Sequence, residues 1–73
     1  MNREFSKLTA TQQQAVRFAV EDVREDRNPS SLTLLADGCE VYAYPGANCV
    51  NWGVNGPEGF NIARGKLMDG VEL

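Results

Sequence analysis

The sequence contains no histidine. That absence removes most familiar catalytic designs, because Ser–His and Cys–His nucleophilic pairs and His-ligated metals all need the imidazole. Cysteine is scarce as well: Cys39 and Cys49 alone fall short of the four Cys or His ligands that a structural zinc usually takes. No stretch approaches the roughly 18 apolar residues of a membrane span. No charged start leads into an apolar segment, so no secretory signal is expected and the cytoplasm is the default compartment. Basic residues are missing from the middle, since no Lys or Arg lies between Arg27 and Arg64, whereas Asp37, Glu40 and Glu58 do. The expectation from these absences is a protein with no enzymatic activity, no metal and no cofactor.

What is present reads as a folded α+β chain. Hydrophobic residues make up 42% and charged ones 23%, a balance that excludes a disordered or fibrous class. At 73 residues the chain is read as one domain spanning 1–73. That is near the size at which only roughly 60% of the unfolded surface can be buried.

A helix is expected over 8–28. Thr9 with Gln12 has capping-box spacing, and Thr11 with Gln14 has it too, which leaves the start open by two residues. Val16, Ala19, Val20 and Val23 repeat as one helical face. Arg17 and Glu21 form an i, i+4 pair, and Asn28-Pro29 supplies the stop. Phe18 falls off the apolar stripe, among Gln14, Glu21, Asp22 and Glu25. Either Phe5 or the C-terminal tail covers it, or it is an exposed aromatic rimmed by acids, as suits a protein interface.

Three turn signals follow. Asp37-Gly38 predicts a two-residue hairpin loop that sets Ala36 against Cys39, Leu34 against Val41 and Leu32 against Ala43. Thr33, Leu35, Tyr42 and Tyr44 then take the other face. Pro45-Gly46-Ala47-Asn48 closes a second hairpin pairing Ala43 with Val50, Val41 with Trp52 and Tyr44 with Cys49. Asn55-Gly56-Pro57-Glu58-Gly59 is a longer connection that brings Phe60 near Val54 and Ile62 near Trp52. The expected architecture is one N-terminal amphipathic helix packed on a four-stranded antiparallel meander over 32–64, one sheet face open, with a tail over 65–73 whose path the sequence leaves open. In this register Cys39 points inward and Cys49 outward, so no disulfide is expected. Gly53, Gly56 and Gly59 lack the spacing and the lysine of a phosphate loop and read as turn residues.

Two candidate binding surfaces emerge: Tyr42, Tyr44, Leu35 and Asn51 on the open face, and Phe18, Glu21 and Glu25 on the helix. With a formal net charge of −3, a basic partner surface would be favoured through electrostatic steering. The functional expectation is a small acidic inhibitor or adaptor docking on a larger protein, of the kind that bacterial viruses direct at host machinery. Two alternatives stand beside it. One is a homodimer or larger homo-oligomer formed through the open face, an edge strand or the tail. The other is nucleic-acid binding through Tyr42 and Tyr44, for which only Arg64 and Lys66, beside the last strand, could neutralise phosphate, so the missing basic residues argue against it.

Overall fold

The structure is a computed structural model that describes residues 3–25 and 29–73. Two helices, α1 (Arg3–Ser6) and α2 (Ala10–Arg24), precede β1 (Ser31–Leu34), β2 (Glu40–Gly46), β3 (Cys49–Asn55) and β4 (Asn61–Met68). The strands form one antiparallel sheet in the order β1-β2-β3-β4, with α2 against one face. This is the α+β meander expected from the turn signals. Pairing continues beyond residue 64 to Met68. The expected extension of the helix to residue 28 and its Asn28-Pro29 stop involve 26–28, which lie outside the described residues.

Thr9 is the N-cap of α2. The Gln12 amide donates to Thr9 Oγ1 at 3.2 Å and the Thr9 amide donates to Gln12 Oε1 at 3.0 Å, so two orphan amides of the first turn are satisfied reciprocally. Gln12, Val16, Ala19, Val20 and Val23 form the buried stripe. Phe5 does not shield Phe18. It enters the core edge-on to Trp52, at 5.9 Å between ring centroids, and the Arg17 guanidinium covers it at 5.1 Å rather than pairing with Glu21. Trp52 is the largest fully buried side chain. Truncating a residue of this kind typically costs about 3–5 kcal/mol, a large share of the roughly 5–15 kcal/mol that holds a protein folded.

The inner sheet face is Val41, Ala43, Val50, Trp52, Val54, Ala63 and Leu67, but its register differs from the expected one at every hairpin. In the first turn the Leu35 amide donates to the Cys39 carbonyl, Gly38 donates to the Leu35 carbonyl, and Gly38 has φ +90°. The loop is therefore Ala36-Asp37-Gly38, one residue longer than predicted, ending in a left-handed glycine. One residue of slip sends every β1 side chain to the opposite face. Leu32 and Leu34 point outward, 69% and 72% exposed, while Leu35 packs against the core.

The second hairpin closes with Gly46 opposite Cys49 and Asn48 at φ 59°, so Val41 faces Val54 and Ala43 faces Trp52. The slip here is even and the faces are kept. The third turn repeats the first: the Gly56 amide donates to the Phe60 carbonyl, Gly59 donates to the Gly56 carbonyl, and Gly59 has φ +88°. A bulge at Val54/Asn55 follows, placing Ala63 rather than Ile62 opposite Val54 and Gly65 opposite Trp52. Ile62 is the extra residue of the bulge. Its Cδ1 lies beside Gly56 at the end of the sheet, and Phe60 is 74% exposed. Neither occupies the core place expected of it.

Candidate functional site

Strand alternation and the observed pairing set out the sheet face turned away from α2. One cross-strand row reads Leu32, Tyr42, Gly53, Arg64; the next reads Tyr44, Asn51, Lys66; Gly46, Cys49 and Met68 follow. Gly53 matters here. The Tyr42 ring and hydroxyl fill the space that a Gly53 side chain would need, so Tyr42 lies across β3 toward Arg64. The Tyr44 ring runs nearly parallel to it, tilted by 12° with centroids 6.3 Å apart. Together with Asn51, Arg64 and Lys66 the two tyrosines line a shallow groove of about 370 Å³.

The bulge is what brings the cations there. Without the extra residue, Ile62 would face Val54, and alternation would turn Arg64 and Lys66 toward the core. With it, Ala63 and Leu67 are buried and Arg64 and Lys66 are exposed beside the tyrosines. The gap in basic residues along the sequence thus does not carry over to this face. Glu40 is the acid on it, half-buried in the row of Leu34 and Asn55. Asn61 holds the bulge: its Nδ2 donates to the carbonyls of Ala63 at 3.1 Å and Val54 at 3.4 Å and to Asn55 Oδ1 at 3.2 Å.

Of the residues singled out from sequence, Tyr42, Tyr44 and Asn51 come together on this face. Leu35 does not; Leu32 and Leu34 stand where it was expected, because the first loop is three residues long. Arg64 and Lys66, which the sequence offers only as cations beside the last strand, stand on this face because of the bulge. Cys49, expected to be outward and accessible opposite Tyr44, is buried opposite Gly46, whose missing side chain leaves room for its sulfur. Cys39 is buried in the core, and both cysteines are free.

Phe18 and Glu21 on α2 and Glu25 at its C-cap lie on the other side of the molecule, with Phe18 59% exposed. Near the first turn the Asp37 carboxylate accepts from the Cys39 amide at 2.9 Å, which holds its pKa below the ordinary value. Burial, and then the Asp37 carboxylate, pushes the Cys39 thiol up. This pair belongs to the turn and not to either groove. Among the described residues no cluster could hold a metal ion, and no helix is long and apolar enough to cross a membrane. Compared with known protein families, curated proteins and solved structures, the chain matches none.

Proposed function

We propose that the chain is a non-enzymatic protein-binding module, acting in the cytoplasm as an inhibitor or adaptor, and that the open sheet face is its docking surface. The observation that carries this reading is the row of Leu32 and Leu34, each about 70% exposed, beside Tyr42 and Tyr44. A contiguous apolar and aromatic surface of this kind is what protein interfaces use, with tyrosine contributing area at little entropic cost. Charge narrows the partner. The face bears Arg64 and Lys66 against Glu40, so it complements a partner that is apolar where it meets β1 and acidic where it meets β4. A basic partner surface, as net charge alone suggested, would be drawn to the acids of α2 instead.

A second reading has one observation in its favour: the near-parallel tyrosines flanked by Arg64 and Lys66 resemble a platform for single-stranded nucleic acid. Stacking on each ring would contribute about 1–3 kcal/mol per base. Two cations neutralise little of a phosphate backbone, however, and Leu32 and Leu34 would stay in water, which is why protein is the preferred ligand.

The test is to isolate a stoichiometric partner and compare wild type with the Leu32→Asp/Tyr44→Ala variant. The variant should lose the partner, and in the wild-type complex the methyl signals of Leu32, Leu34 and Met68 should shift. Retention by the variant, or shifts confined to α2, would refute the assignment of the face. Tight, salt-sensitive binding of an oligothymidylate would move the assignment to nucleic acid.

A further inference from the structure

The chain itself carries a surface of the chemistry that its open face complements. Gln14, Phe18 and Glu21 on α2, with Glu25 at its C-cap, recur at helical spacing along the side turned away from the sheet. Phe18 stands out of this stripe with more than half its surface in water, and Glu21 and Glu25 are exposed beside it. Among the described residues Glu21, Arg64 and Lys66 take part in no ion pair. One side of the molecule thus offers an aromatic ring with carboxylates, its neighbouring cation Arg17 being drawn over the Phe5 ring, and the other offers tyrosines and leucines with a guanidinium and an ammonium.

We infer that two copies of this chain dock head to tail, the Phe18/Glu21 stripe of one on the Tyr44/Arg64/Lys66 face of the next. Charge decides against the symmetric alternative. Two sheet faces brought together would bury Arg64 and Lys66 with only Glu40 to neutralise them, and an unpaired buried charge is strongly unfavourable. Stripe on face instead pairs carboxylates with cations and covers Phe18 with Tyr44 and the leucines. Because the two surfaces lie on opposite sides of the helix and sheet layers, the contact is heterologous. A pair leaves one of each surface free, and growth continues as concentration rises. The inference rests on the open face being a docking surface. A foreign partner on that face would end the row, so the two contacts exclude one another.

Sedimentation velocity of the wild-type chain, from micromolar to millimolar, should show a mass that rises with concentration and falls with added salt. Phe18→Ser/Glu21→Lys removes the stripe, and Tyr44→Ala/Lys66→Glu removes the face; all four positions are exposed, so both variants should fold. Each alone should need at least about tenfold higher concentration to associate. Mixed together, each supplies the surface that the other lacks, and they should form a one-to-one dimer that grows no further. A wild type that stays monomeric throughout, variants that associate like wild type, or a mixture that does not pair would each overturn the self-contact. If the chain is monomeric yet loses a partner on Leu32→Asp/Tyr44→Ala substitution, only the self-contact fails and the docking face stands. If that partner is retained, the face itself fails.

Discussion

The first and third turns of the sheet are built alike and have different consequences. Each is a three-residue loop, Ala36-Asp37-Gly38 or Pro57-Glu58-Gly59, closed by the same two backbone hydrogen bonds and ended by a glycine with positive φ. In the first, the loop length alone decides which way β1 faces, and it puts Leu32 and Leu34 outside. In the third, the loop alone would keep Ile62 opposite Val54, and the bulge behind it reverses β4 and turns Arg64 and Lys66 outside. Both halves of the candidate surface, apolar and basic, are therefore consequences of single-residue events at the same end of the sheet. The two turns also lie close: a side chain at Gly38 would meet Pro57 Cβ at 3.1 Å, whereas a Cβ at Gly59 would meet nothing within 4 Å.

That asymmetry predicts unequal costs for equal substitutions. Gly38→Ala combines left-handed strain with the Pro57 contact and should lower stability by about 2–3 kcal/mol. Gly59→Ala carries the strain alone, about 1 kcal/mol. Urea unfolding of the two variants measures the difference, and equal losses would show that the contact between the turns contributes nothing. A smaller effect separates the bulge from its turn. Asn61→Ala removes the amide that serves Val54 and Ala63 and should cost about 0.5–1.5 kcal/mol; a neutral result would mean that burial of Ala63 and Leu67, and not Asn61, fixes the bulge.

The smallest effect distinguishes the middle residues. Asp37 is short enough to accept the Cys39 amide, while Glu58 at the equivalent place makes no such bond. The folded pKa of Asp37 lies below its unfolded value. Its contribution is therefore present above the ordinary carboxylate range and is lost as pH falls through the folded value. Asp37→Asn keeps the turn and removes the charge, so its deficit against wild type should shrink on acidification. A deficit that stays constant or grows toward low pH would rule out this role.

Much of the architecture could be read from the chain. The Thr9/Gln12 box, the Val16 to Val23 stripe, the meander order and the inner placement of Val41, Ala43, Val50, Trp52 and Val54 all follow from spacing. The middle hairpin kept its faces despite a slip because the slip was even. The odd events were illegible for a physical reason. Asp-Gly can form a two-residue loop or the second and third residues of a longer one, and the sequence marks the glycine but not the loop length. A two-residue loop accordingly puts Leu35 on the wrong face and Leu32 and Leu34 in the core. Nothing in Gly-Phe-Asn-Ile-Ala announces a bulge, since the three bonds of Asn61 exist only once the strands are paired. The place of Phe18 off the apolar stripe is legible because helical periodicity has no comparable ambiguity, but periodicity does not say whether Phe5 or the tail covers the ring, and its exposure is read only from the fold.

The bulge also bears on how the chain avoids unwanted growth. At eight residues β4 is a long free edge, and a flat edge of that length invites another strand to add to the ladder and seed insoluble aggregates. An irregularity at Ile62 twists that edge and interrupts its run of backbone donors and acceptors, and Arg64 and Lys66 put charge along what remains. The opposite edge, β1, has only four residues to offer. Extension through the backbone is thereby discouraged at both ends of the sheet, which leaves encounters between side-chain surfaces as the route by which this molecule meets others.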